Sequence, residues 1–72
     1  MIEIDKRSVS ALLSQKGICF TELNCLDGDL IIGLSGEIDL NRVLYIEAIV
    51  EALGLKGAWI LHGRERFYLE AG

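Results

Sequence analysis

The sequence predicts an α+β domain in which two helices pack on one face of a four- to five-stranded antiparallel sheet, in the order β-α-β-β-α-β-β. Three observations carry this expectation. Two segments, Val9 to Lys16 and Val43 to Leu53, space their apolar residues three and four apart, the period of a helix with one buried stripe. Asp27-Gly28 sits between two apolar-rich runs and suits a type I′ hairpin turn, whose two central residues both need positive φ. The chain has 72 residues, of which 51% are apolar, so it forms one domain near the lower size at which a single core holds without disulfides or metal.

From the start of the chain, a short strand is expected at Ile2 to Ile4, followed by "EIDKRSV" at positions 3 to 9. The pattern returns as "EIDLNRV" at 37 to 43. Asp accepts a hydrogen bond from an otherwise unpaired N–H of the first helical turn, so Asp5 and Asp39 are expected N-caps. Ile4 and Ile38 then precede the caps, and Val9 and Val43 fall on the fourth helical position. That is the spacing of a hydrophobic staple. The first helix presents Val9, Leu12, Leu13 and Lys16 along one stripe and ends at Gly17. The second presents Val43, Ile46, Ile49, Val50 and Leu53 and stops at Gly54 or Gly57, with Glu47 and Glu51 on its wet side. Leu40, Leu44 and Ala48 widen its apolar surface beyond what one sheet contact uses, and they are the first candidates for a contact between chains.

Between the helices, an Asp27-Gly28 loop sets Cys25 opposite Leu30, Leu23 opposite Ile32 and Thr21 opposite Leu34. The other side of the ribbon carries Glu22, Asn24, Gly33 and Ser35 with Phe20 and Ile31. The closing "AWILHGRERFYLEAG" reads as a second hairpin with two registers. A three-residue loop at Gly63 to Glu65 places Trp59, Leu61, Phe67 and Leu69 on one face, while a two-residue loop at Gly63-Arg64 pairs Ile60 with Phe67 and sets Trp59 beside Tyr68. The first buries more apolar surface and is the expected one.

In sum, a staple motif, a helix, a Lys-Gly pair (Lys16-Gly17, Lys56-Gly57) and a strand recur with an offset of 34 residues (37 minus 3). This weak internal repeat suggests a ferredoxin-like sandwich with an extra C-terminal strand. Two α-β-β units on one sheet are the simpler alternative. The residues that define particular groups with that layout are missing: there is no Met-x-Cys-x-x-Cys loop and no aromatic RNA-binding strand.

Charge and composition narrow the function classes. With 11 acidic and 7 basic residues the net charge is −4, which argues against general nucleic-acid binding. No apolar run reaches the roughly 20 residues of a membrane helix, and the start lacks a secretory core, so a cytoplasmic protein is expected. Cys19 and Cys25, six residues apart in one expected strand, cannot bridge and read as buried free thiols. His62 is the one histidine, without a nucleophile beside it in sequence, and no ligand spacing suggests zinc or iron–sulfur. Gly33 and Gly36 precede a helix, yet Glu37 and Asp39 would repel an anion there. Asp27 and Asp29 flank a turn, which accounts for both.

No catalytic residue, cofactor or metal is expected. The cationic "HGRER" segment, with His62, Arg64 and Arg66 near Trp59 and Tyr68, is the best candidate contact for an acidic or phosphorylated partner. Its simpler reading is a solvated tip whose arginines pair with Glu65 and Glu70. The expected function is a non-enzymatic protein-interaction module acting as a homodimer through its surplus apolar surface. Two alternatives are an acidic inhibitor of a partner's basic site, of the mobile-element type, and a regulatory domain binding a small molecule at a dimer seam near Gly33 and Gly36.

Overall fold

The computed structural model describes residues 5–71, which form α1 (Lys6–Gln15), β1 (Phe20–Leu26), β2 (Asp29–Leu34), α2 (Leu40–Ala52), β3 (Gly57–His62) and β4 (Glu65–Glu70). The strand expected at Ile2 to Ile4, and Ile4 as a staple residue, lie outside the described residues.

Both helices begin as their caps dictate. The Asp5 carboxylate accepts from the Ser8 hydroxyl at 3.0 Å and from the Arg7 amide at 3.0 Å, and these bonds, the Ser8 one foremost, hold its carboxyl below the usual range. Asp39 accepts from the Arg42 amide at 2.8 Å and pairs with the Arg42 guanidinium. Ile38, just before that cap, is half-buried against the core, and Val9 is fully buried. The helices also end alike. Gly17 and Gly54 take φ of 70° and 71°. Their amides bond to Ser14 and Glu51 carbonyls, and the next amides, of Ile18 and Leu55, reach back to Leu13 and Val50. These are Schellman closures, and in each the residue after the glycine is buried in the core. Gly54 therefore ends α2, while Gly57 belongs to β3.

The sheet runs β1-β2-β3-β4. Its outer pairs are antiparallel, but β2 and β3 are parallel, so the sheet is mixed and not the antiparallel one expected. The cause is a match of lengths. At 1.5 Å per residue the 13-residue α2 spans about 20 Å, close to the length of a six-residue strand. A chain leaving the end of β2 returns along α2 to the level where β2 began, and β3 starts there, with Gly57 beside Asp29. A ferredoxin-like sandwich sets another strand between two such strands. Here they pair directly, so that order is not met among the described residues and the elements fall as two α-β-β units. The internal repeat is one of local grammar. β1 is an edge strand and β3 an inner one running the opposite way, so an operation carrying one ribbon onto the other would put its helix on the wrong face.

One core lies between the helices and the sheet. Val9 and Leu13 of α1 and Ile46, Ile49 and Val50 of α2 bury against Leu23, Leu30, Ile32, Leu34, Ala58 and Ile60. The first hairpin holds its expected register at Cys25–Leu30 and Leu23–Ile32, with Asp27 and Gly28 at φ 53° and 82°. Beyond that a bulge intervenes: Phe20, not Thr21, faces Leu34, and Glu22 faces Gly33. The extra residue turns Phe20 toward the core and crowds the other side, where a Cβ on Gly33 would sit 2.5 Å from Thr21 Oγ1.

The second hairpin differs from the expected register. Ile60 pairs with Phe67 and Trp59 with Tyr68 around a two-residue Gly63-Arg64 loop, Gly63 having φ 61°. Counting buried apolar residues chose the wrong alternative because β3 is an inner strand whose inward positions are already set. Ala58 and Ile60, both 0% exposed, face the helices beside Leu30 and Ile32, and β4 must follow them.

Replacing Asp39 with Ala removes the α2 cap and its pairing with Arg42. The expected outcome is a loss of about 1 kcal/mol in urea unfolding, with no change in the slope.

Candidate functional site

Alternation along the strands leaves one face of the sheet turned away from both helices. The register assembles three rows there. The first holds Glu22, Gly33, Leu61 and Arg66, the second Asn24, Ile31, Trp59 and Tyr68, and the third Leu26, Asp29, Gly57 and Glu70. The second row is the chemical centre. Trp59 and Tyr68, each 40% exposed, set their ring centroids 5.0 Å apart at an interplanar angle of 59°. Such tilted pairs are a favoured aromatic arrangement. Ile31, Trp59, Leu61 and Arg66 line a shallow groove of about 420 Å³.

Tyr68 is held by a bond that crosses the sheet. Its hydroxyl donates to Asp29 Oδ1 at 2.8 Å, reaching from β4 over β3 to β2. The route passes above Gly57, where a Cβ would come within 2.5 Å of the Tyr68 oxygen and of the Leu69 carbonyl. Only glycine leaves that path open. Because the Asp29 carboxylate accepts the phenolic hydrogen bond, it pushes the Tyr68 hydroxyl above its ordinary titration range.

A second groove, of about 320 Å³, lies between the end of α1 and the start of α2 and is lined by Lys16, Ile18, Asp39, Asn41, Arg42 and Tyr45. Its polar groups engage each other. Arg42 pairs with Asp39, the Lys16 ammonium lies 5.4 Å from the Tyr45 ring centroid, and the Tyr45 hydroxyl donates to the Leu12 carbonyl at 3.3 Å. This groove joins the helices and offers few free groups to a ligand.

The expected contact residues separate into three places. Leu40, Leu44 and Ala48 form an exposed line on α2, with Leu40 70% and Leu44 50% exposed. Trp59, Tyr68 and Arg66 meet on the open sheet face. His62 and Arg64 do not join them. His62 sits at the end of β3, half-buried, and its Nε2 donates to the Gly36 carbonyl at 2.6 Å, tying the loop before α2 to the sheet. Arg64 stands at the exposed hairpin tip. The "HGRER" segment is therefore no single cationic patch. Among the described residues the one ion pair is Asp39–Arg42, so the arginines do not pair with Glu65 or Glu70 as the simpler reading expects.

Cys19 lies before β1 and is exposed, contrary to the expected burial, while Cys25 is half-buried. No three of His, Cys, Asp and Glu converge among the described residues, and no described helix is long and apolar enough to cross a membrane. Sequence reasoning missed Leu61 as a member of the open face, because its membership depends on the register of β3. It also missed the bond between Asp29 and Tyr68, because that bond depends on β2, β3 and β4 lying side by side; the place of Asp29 on this face follows from its alternation with Ile31 and Gly33. Comparison with known proteins finds no matching family model, no matching curated protein and no matching solved structure.

In a Tyr45→Phe background Tyr68 is the only phenol of the chain. Its absorbance titration is expected to lie above the ordinary value near 10, and Asp29→Asn is expected to bring it back down. The sign follows from the raised value: the hydrogen bond adds to stability at neutral pH, and that contribution is lost as pH rises through the folded-state titration. Identical titrations in the two variants would show that the bond does not form in solution.

Proposed function

We propose that this chain is a non-enzymatic protein-interaction module that binds through its open sheet face. The observation that carries the reading is the row of Ile31, Trp59 and Tyr68, joined by Leu61 and flanked by Arg66, on a face that neither helix covers. Trp, Tyr and Arg are the residues in which binding energy concentrates at protein interfaces, most often around an apolar centre with a polar rim. A contiguous apolar patch is costly to leave in water, and interaction sites are a common reason for one. The bond from Tyr68 to Asp29 supports this reading because it fixes an aromatic ring before any partner arrives, which lowers the entropy lost on binding. His62 has its Nε2 committed to a loop carbonyl, which favours contact over catalysis as the work of this chain.

The exposed Leu40, Leu44 and Ala48 line is the competing surface, and two variants separate it from the sheet face. The tagged protein is purified from its native cells in wild-type, Trp59→Ser/Ile31→Ser and Leu44→Glu forms, and co-purifying protein, including untagged copies of the chain, is measured. Folding of each is confirmed by circular dichroism. The expected result is a specific partner retained by wild type and Leu44→Glu and reduced at least about tenfold by the sheet-face change. Equal retention by the sheet-face variant, or loss confined to Leu44→Glu, would sink the reading.

A further inference from the structure

We infer that the occupant of the open sheet face is a second copy of this chain, stacked face to face about a two-fold axis that runs along the strands. The inference rests on the interaction-module reading and names its partner. It starts from two charges on one row. Glu22 is on β1 and Arg66 on β4, the opposite edges of the sheet, and the register sets them on the row that contains Gly33 and Leu61. Three strand spacings separate them, about 14 Å at 4.8 Å each. They do not pair within the chain, where the ion pair among the described residues is Asp39–Arg42.

A two-fold axis along the strands, midway between two stacked sheets, keeps each residue at its own level and exchanges one edge for the other. The partner's Arg66 then lies over Glu22, and the partner's Glu22 lies over Arg66. Two ion pairs form from one row. In the next row Trp59 meets the partner's Ile31 and Ile31 meets the partner's Trp59, which fills the centre with apolar contact. Tyr68 meets the partner's Asn24 at the rim. The Asp29 carboxylate already accepts the Tyr68 hydroxyl, so it is not left unpaired where it faces the partner's Gly57. The least favourable element is Glu70, opposite the partner's Leu26, at the exposed corners. An axis across the strands is worse. It gives as many ion pairs, Arg66 with the partner's Glu70, and sets Glu22 against the partner's Leu26. In the central row, however, it stacks Trp59 on the partner's Trp59 and Ile31 on the partner's Ile31, large on large and small on small, where the axis along the strands seats each Trp59 against an Ile31.

The arrangement closes on itself, so it yields a dimer and no filament. Its size sets its strength. Strands of six residues in a four-stranded sheet offer a face of roughly 20 by 19 Å, on the order of 400 Å² from each copy. That places the dimer in the weak, reversible class, with the charge pairs fixing orientation more than supplying affinity.

The test is absolute mass by light scattering on a sizing column, over loading concentrations from about 1 μM to about 1 mM, a range that brackets weak dimers. Circular dichroism confirms folding of every variant. Wild type is expected to pass from monomer to dimer across the range. Glu22→Arg and Arg66→Glu are each expected to weaken self-association at least about tenfold, because both symmetric pairs become repulsive. Mixed in equal amounts, the two variants are expected to recover the dimer as one copy of each, since every arginine of the first then meets a glutamate of the second. A mixture that stays monomeric overturns the proposed axis, as does a loss caused by Arg66→Glu alone. Wild type that is monomeric throughout overturns the second copy as partner. If a different protein is still captured and then lost with Trp59→Ser/Ile31→Ser, the module reading survives that result. If no protein is captured either, both fall.

Discussion

The parallel pairing of β2 with β3 is the constraint on which the other features depend. It exists because α2 carries the chain back over one face of the sheet through about the length of a strand. Once β3 is locked beside β2, its inward residues are fixed as Ala58 and Ile60, and Trp59 and Leu61 must point the other way. β4 inherits this alternation through its antiparallel pairing, which turns Tyr68 and Arg66 outward as well. A 72-residue chain with two helices has enough helical surface to cover one side of four strands. The second side is left open, and the apolar surplus of the composition appears there and along the outer line of α2.

Two glycines shape that open side. Gly33 lies where the bulge in β1 folds Thr21 and Glu22 over the sheet, and Gly57 lies beneath the Tyr68 ring on its way to Asp29. At both positions a side chain from a neighbouring strand occupies the space that a Cβ would need. The surface between them is the shallow groove lined by Ile31, Trp59, Leu61 and Arg66. The glycines therefore act on the site indirectly, by letting other residues lie flat and define its borders.

What could be read from the sequence was local. The Asp caps, the glycine closure of α1, the inward stripe of α2 and the Asp27-Gly28 turn depend on residues within one or two turns of each other, and all appear in the structure. Of the stripe expected on α1, only Val9 and Leu13 are buried, and Leu12 and Lys16 are exposed. For α2 the sequence offered Gly54 or Gly57, and the choice fell to which of them sits one residue before a buried Leu55. The parallel pairing, the bulge at Thr21 and the register of the last hairpin depend on partners distant in sequence, and there local counting failed. The error over Trp59 has a specific cause. Maximising buried apolar area assumes that a large aromatic belongs inside, whereas in a sheet covered on one face an aromatic can occupy the uncovered side. The candidate residues were accordingly half-legible: Trp59, Tyr68 and Arg66 came together, while His62 left the group to bond the Gly36 carbonyl.

The sheet edges bear on how this molecule can meet others. A free edge strand invites pairing by another chain, and proteins discourage that with bulges and charge. Here β1 carries the bulge between Phe20 and Glu22, and β4 carries Glu65, Arg66 and Glu70. Both edges are thus poor templates for strand addition. The face between them has the opposite character, with apolar residues at its centre, Glu22 at one margin and Arg66 with Glu70 at the other. Blocked edges leave the open face as the surface on which the proposed stacking rests, and in that proposal the same alternation that built the core inside the chain sets which side chains meet.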